Sequence, residues 1–377
     1  MTLLILATGA LCVVLSLLHL AGIVVAIARV RSAGVRRRAA DDGAGVSIIR
    51  PVCGVENFSE QALGSSFRLD HPEYEVLFCV AQPNDPAVPL LRQLMAAHPD
   101  VPARLLVGND RISANPKLNN MVKGWTAVRH DWVVMADSNV LMRRDAVEHL
   151  FAARRPDTGL VCSPPIGCAP QGFFAELECA FLNTYQARWQ SLADAAGIGF
   201  AQGKCMLWRR DILEAAGGMG GLASEIAEDA AATKLVRGLG LRVRMVDAPF
   251  AQPLGRRTAA DVWQRQVRWA RLRRETFALF FVPEIFTGGL VPLAAGVAGA
   301  AAAGWPAALI GAVFAAAWYG SEALLAAAAG WHLSWRSPLA WVLRDALLPA
   351  LWLAGWEHKD LVWRGTVMRV AHRNSST

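Results

Sequence analysis

The sequence predicts an α/β fold, a mainly parallel sheet with helices on both faces, flanked by transmembrane helices. Three observations carry this. Between Val46 and Val140, short apolar runs alternate with helical patterns, the order that builds parallel sheets. Neither Thr2 to Ala28 nor Ile285 to Ser321 contains an Asp, Glu, Lys or Arg, lengths that cross a bilayer once and twice. Hydrophobic residues make up 54% and charged residues 18% of the chain, and the apolar excess is gathered in those two regions.

Taken in order, residues 2–28 read as an uncleaved transmembrane anchor. A cleavable leader has a shorter apolar region preceded by basic residues, whereas here Arg29, Arg31, Arg36, Arg37 and Arg38 follow it. The positive-inside rule makes that flank cytoplasmic and the amino end external. Val46–Pro51 is a short strand, and Cys53-Gly54 a turn after it. Glu60 to Phe67 reads as a helix, Tyr74–Val80 as a strand, Ala87 to His98 as a helix and Ala103 to Val107 as a strand. Lys117 to Val128 reads as a helix leading into the strand Trp132–Ala136, which ends in Asp137-Ser138-Asn139. Two strands thus end in acids, Asp85 and Asp137. In doubly wound sheets such ends line the crevice where nucleotides bind. Asp137 there can hold a divalent cation or cap the next helix.

The region has neither GxGxxG nor GxxxxGK[ST], so no Rossmann dinucleotide site or P-loop is supported. Ser113 to Asn120 is the most polar candidate for ligand contact, and its Pro116 equally marks a helix start. Gly172 to Trp189 looks helical. Gly197 to Lys204 is a glycine-punctuated loop before the strand Cys205–Trp208, open to close backbone approach by a ligand or simply a turn. Glu228 and Asp229 open an alanine-rich helix, where acids also complement the helix dipole. Residues 263–284 form an amphipathic region beginning Trp263-Gln264-Arg265-Gln266-Val267-Arg268-Trp269. Its arginines suit lipid phosphates or a leaving diphosphate. Residues 285–356 read as two crossings plus a re-entrant or third segment, interrupted by Arg344-Asp345 and Pro349. The 357–377 tail, with Lys359, Arg364, Arg369 and Arg373, reads as cytoplasmic.

The seven cysteines show no zinc-type spacing and read as reduced, packed thiols. A net charge of +7 set beside apolar spans fits anionic headgroups, and no nucleic-acid module is present.

Asp85, Asp137, Glu228-Asp229 and Arg265-x-x-Arg268-Trp269, in that order before membrane spans, resemble the D, D, D, (Q/R)xxRW pattern of family 2-type glycosyltransferases. The chain most resembles the ceramide glucosyltransferases, family 21. They share stretches such as Val46–Pro51, Tyr74–Val80, Asn115-Pro-Lys117-x-Asn119-Asn120, Ala227-Glu228-Asp229 and Trp363-Arg364-Gly365. The resemblance covers residues 2 to 370 and implies a GT-A fold over residues 46–262. It also implies inverting transfer of glucose from UDP-glucose to the head hydroxyl of ceramide. Asp229 is then the general base. Asp85, Lys117, Asn120 and Asp137 are expected at the nucleotide sugar, and Gly203, Glu228, Arg265, Arg268 and Trp269 at the diphosphate and acceptor. Asp137 is the expected ligand of Mg²⁺ or Mn²⁺, with Asn139 a weaker second where many relatives carry an acid. Alternatives are another UDP-sugar (galactose, glucuronate, N-acetylglucosamine), another acceptor (hopanoid, diacylglycerol), or a non-catalytic membrane-anchored nucleotide-binding protein. The composition, rich in Arg and Ala, points to a bacterial inner membrane with the catalytic domain cytoplasmic.

Overall fold

The structure is a computed structural model and describes residues 1–37, 43–357, 361–363 and 366–368. Arg38 and the expected tail cations Lys359, Arg364, Arg369 and Arg373 lie outside the described residues. The chain divides into two compact units. The first is built from the described residues of 34–164 and 197–251; the second comprises Met1–Ala33, Pro165–Ala196 and Gln252–Glu357.

Strands are numbered along the chain: β1 Val46–Val52, β2 Tyr74–Val80, β3 Ala103–Val107, β4 Trp132–Ala136, β5 Thr158–Ser163, β6 Pro165–Gln171, β7 Cys205–Arg209, β8 Arg242–Met245 and β9 Phe250–Arg256. The first unit holds a seven-stranded sheet in the order β3-β2-β1-β4-β7-β5-β8. Neighbours run parallel except β7, which is antiparallel to both β4 and β5. All seven β1 residues are buried, the result expected of a strand covered on both faces. Successive residues serve opposite layers. Ile49 and Val133 join Met121 and Trp125 of the helix Pro116–Ala127. Ile48 and Val134 join Val147, Leu150 and Phe151 of the helix Ala146–Ala152. The sheet is therefore a filled three-layer core. The strand order reverses at β1, whose neighbours β2 and β4 carry Asp85 and Asp137 just past their carboxyl ends.

The second unit collects the long apolar helices. Two are long and apolar enough to cross a membrane, Thr2–Ala33 and Ala307–Ala329. A third candidate is a pair, Ala278–Phe286 and Leu290–Ala302, bent by 45° as a broken span or re-entrant loop. These helices leave Leu3, Leu6, Leu17, Leu309, Val313 and Leu324 exposed, an apolar face suited to lipid. Ser337–Gly355 is one helix that runs through Pro349. Its Arg344 and Asp345 are buried: the guanidinium donates to Glu322 Oε1 and Oε2, both at 2.8 Å, and to Asp345 Oδ1 at 2.8 Å. Pairing of this kind is what permits ionised groups among apolar helices.

Pro165–Ala196 groups with these helices. The stretch read as helical from Gly172 is continuously helical over residues 173–195, with a π-helical segment at Phe181–Ala187. Likewise Ser59–Gly64 is helical and continues as a 3₁₀ turn, Ser65–Phe67.

Candidate active site

The register of β4 against β7 builds the centre of the site. Ala136 lies opposite Cys205, so the residue after β4, Asp137, faces the residue before β7, Lys204. The Asp137 N–H donates to the Lys204 carbonyl at 2.9 Å. Asp137 does not cap a helix, because the next one starts only at Ala146. Its carboxylate is instead gripped by two ammonium groups: Lys117 Nζ lies 2.6 Å from Oδ1 and Lys204 Nζ 2.9 Å from Oδ2. Asn139 Oδ1 accepts from the same Lys204 Nζ at 3.2 Å.

Lys117 is positioned by its own helix. Asn115 caps that helix by accepting from the N–H groups of Lys117 and Leu118, and Pro116 supplies its first residue. The Lys117 ammonium then has three acceptors, Asp137, Glu228 Oε1 at 2.6 Å and the Gly203 carbonyl at 2.6 Å. Its three N–H donors are all used. Glu228 Oε2 accepts from Asn115 Nδ2 at 2.7 Å. Lys117 and Glu228 thus hold the cluster together. Asp229, half-buried beside them, has Oδ2 accepting from the Gly203 N–H at 3.2 Å and Oδ1 from Ala230 N at 2.9 Å. Gly203 therefore bridges Asp229 and the lysine with its backbone. A Cβ there would stand 2.8 Å from Glu228 Oε1, which explains the glycine.

Charge and burial drive the acids apart. Burial pushes Asp137 up, but Lys117 and Lys204 outweigh it and hold the carboxyl well below its ordinary range. Burial pulls Lys117 down, but Asp137 and Glu228 outweigh that and keep it firmly protonated. For Asp229, burial and the neighbouring Glu228 push the same way, with Lys117 and two backbone N–H groups opposing, and its pKa is pushed up to about 6. One acid is locked as an anion. Another is poised to take a proton near neutrality.

The remaining expected residues have other partners. Asp85 Oδ1 accepts from Gly54 N at 2.9 Å and from Ala87 N at 2.8 Å, tying the loop after β2 to the loop after β1. Gly54 has φ +67, a backbone that disfavours any side chain. Asn120 is buried and donates to the Cys79 carbonyl at 2.7 Å, while its Oδ1 accepts from Lys123 at 2.6 Å. Arg50 carries no sign of a role in the sequence. Its buried guanidinium donates to Val140 O at 3.0 Å and Ser138 O at 3.3 Å, fixing the loop that carries Asp137.

The donor set fits a divalent ion on one side of Asp137. Asp137 Oδ2 and Asn139 Oδ1 already converge on one cation, the Lys204 ammonium. Among the described residues no three His, Cys, Asp or Glu side chains group as metal ligands. An ion here would therefore complete its shell with phosphate oxygens and water, the habit of Mg²⁺.

Arg265, Arg268 and Trp269 lie in the second unit, on the helix Ala259–Thr276, which opens with a Thr258–Asp261 capping box. Arg265 donates to Glu178, a fully buried acid that also accepts from Arg257 at 3.2 Å. Trp269 packs on Ala175, Cys179, Leu182 and Leu254. Glu178 escapes sequence reasoning because two acids, Glu176 and Glu178, in an apolar run match no motif.

A solved structure of comparable architecture is the mannosyltransferase PcManGT from Pyrobaculum calidifontis, in complex with GDP-Man and Mn²⁺. It is 19% identical, with a TM-score of 0.51 over 93% of this chain and 100% of that one. The chain thus has a GT-A-type fold. The description of glycosyl transferase family 21 matches residues 14–376, and the chain belongs to that family. Ceramide glucosyltransferase 1 of Caenorhabditis elegans is 29% identical over 231 residues, 61% of this chain and 50% of that protein. The ceramide glucosyltransferase of Komagataella phaffii is 32% identical over 231 residues, 52% of this chain and 45% of that protein. The chain spans about half the length of the curated relatives it matches.

Proposed function

We propose that this chain is a membrane-anchored inverting hexosyltransferase that moves glucose from UDP-glucose to the head hydroxyl of ceramide, in a bacterial inner membrane. The observation that carries the reading is the pair of acids: Asp229, held by the Gly203 and Ala230 N–H groups with its pKa raised by burial and Glu228, beside Asp137, gripped by Lys117 and Lys204. Inversion is a single displacement. The acceptor oxygen bonds to the anomeric carbon as the bond to UDP breaks, and UDP leaves with that electron pair. Asp229 takes the hydroxyl proton, for which a base must lie within hydrogen-bond reach. The Gly203 and Ala230 N–H groups fix its orientation. Lys117, Glu228 and Asn120 act as positioning residues, since their polar groups are occupied within the protein. Asp85 is assigned to the uridine end, and Arg265, Arg268 and Trp269 to the diphosphate and acceptor end, on the motif. Asp137 and Asn139 would hold Mg²⁺ or Mn²⁺, which when bound supplies positive charge to the departing diphosphate. The naming of the relatives as ceramide glucosyltransferases supports the acceptor, and the exposed apolar helices support delivery from a membrane.

The test is transfer by the purified full-length chain in detergent, across UDP-glucose, UDP-galactose, UDP-glucuronate and UDP-N-acetylglucosamine, with ceramide, diacylglycerol and a hopanoid as acceptors. Products are read by mass spectrometry. Hexosylceramide formed from UDP-glucose supports the proposal. A different donor or acceptor moves the assignment within the family, and no transfer with any pair refutes it.

A further inference from the structure

We propose that Lys204 is a tethered cation occupying the seat of the divalent ion, so that metal and lysine compete for the same two oxygens. The inference rests on the donor-site reading above, in which Asp137 and Asn139 hold the ion.

The two lysines at Asp137 are not equivalent. Lys117 comes from a neighbouring helix, is almost wholly buried and finds three acceptors at 2.6 Å. It is the more firmly anchored of the two on Asp137. Lys204 has a side chain 20% exposed and two acceptors, Asp137 Oδ2 at 2.9 Å and Asn139 Oδ1 at 3.2 Å. It is the lysine that can leave. Its place is dictated by the fold, because the β4–β7 register and the hydrogen bond from Asp137 N to Lys204 O set the two residues side by side. A cation tied to the backbone at that point has a high effective concentration for the seat.

The arrangement also answers a charge problem. Asp137, Glu228 and Asp229 crowd one small volume, and Lys117 alone cannot balance them. Without metal, Lys204 supplies the second positive charge and the loop Asp137–Asn139 keeps its shape. When a donor diphosphate brings its own oxygens, a divalent ion gains ligands that the protein cannot provide by itself, and the lysine is displaced. Metal binding is therefore expected to be weak without nucleotide and stronger with it. The displaced ammonium remains close by on its stem, available to the phosphate charge.

The test is Mn²⁺ titration of the full-length chain in detergent, followed by electron paramagnetic resonance, with and without UDP. Lys204→Met, which keeps the stem and removes the charge, should bind Mn²⁺ at least about tenfold more tightly than the wild type in the absence of UDP. Lys204→Arg should stay as weak as the wild type, and Asp137→Asn added to Lys204→Met should abolish the gain. Equal Mn²⁺ affinity in Lys204→Met and wild type would overturn the proposal. So would a gain that survives Asp137→Asn, or no Mn²⁺ bound by Lys204→Met. Hexosyl transfer measured on the same preparations reports separately on the proposed function. Its absence alongside the expected Mn²⁺ pattern counts against the transferase reading and not against Lys204.

Discussion

Replacing Asp229 by Asn removes the base with little other disturbance. The amide keeps the volume and can still accept one of the two backbone hydrogen bonds now made with Gly203 and Ala230. The other N–H then meets an amide NH₂, at about 1 kcal/mol, well inside the roughly 5–15 kcal/mol stability of a domain. Loss of a general base costs roughly 10²- to 10⁴-fold in rate, about 3–5 kcal/mol of barrier. The wild type offers a second readout. With Asp229 titrating at about 6, about one-tenth of it is ionised one pH unit lower, so turnover should fall about tenfold between about pH 7.5 and about pH 5. The folding contribution has the opposite sense. Because folding raises the Asp229 pKa, its stabilisation is complete below the ordinary 3.8 and is lost as the pH rises through about 6. Activity climbs where this contribution declines, so an acid limb of this origin is not unfolding. The assay is initial-rate transfer to lipid across pH, with a parallel thermal melt. An Asp229→Asn variant within about threefold of the wild type, or one that retains the acid limb, refutes the base assignment.

Gly203→Ala should lower turnover about tenfold or more while the fold survives, because its Cβ, 2.8 Å from Glu228 Oε1, would displace the acid that neighbours Asp229; steady-state rates with a melting curve check this. Arg344→Met should destabilise the helical unit by about 3–5 kcal/mol, since it strands Glu322 and Asp345 in a buried site, and denaturation in detergent measures the loss. Chelation by EDTA should suppress transfer and added Mg²⁺ or Mn²⁺ should restore it; rates indifferent to both would remove the ion from Asp137.

The strands were legible because each is an apolar run buried on both faces, and β1 and β4 declare this in Ile48-Ile49 and Val133-Val134. Their terminal acids were legible as well, since Asp85 and Asp137 break those runs abruptly. What the sequence could not show was direction and register. Cys205–Trp208 reads as one more buried strand, and nothing local says that it runs antiparallel between β4 and β5. That pairing alone puts Lys204 against Asp137, so a lysine at the end of a glycine-rich loop passed as part of a turn. Lys117 and Asn120 were visible as polar residues on a helix start, but their partners Gly203, Glu228 and Cys79 come from distant segments. Side chains that look ready for a ligand also carry hydrogen bonds within the protein.

The same engagement predicts how the base is tuned. Glu228 and Lys117 act on Asp229 with opposite sign: the acid raises its pKa and the lysine lowers it. Glu228→Gln removes the repelling charge and keeps one oxygen to accept from Lys117, its NH₂ facing the Asn115 amide donor, so the acid limb of the pH–rate profile should move below about pH 6. Lys117→Met removes the cation that holds Glu228 and exposes Asp229 to the full effect of that acid, so the limb should move above about pH 6. Each shift is expected to be on the order of one unit, about 1.4 kcal/mol between protonation states. Rates measured from about pH 4.5 to about pH 8.5 decide the matter. Two variants that weaken the cluster equally would both lower the rate, and only electrostatic tuning moves their midpoints apart. Midpoints that shift in the same direction, or not at all, would show that Lys117 and Glu228 brace the loop without setting the proton affinity of Asp229.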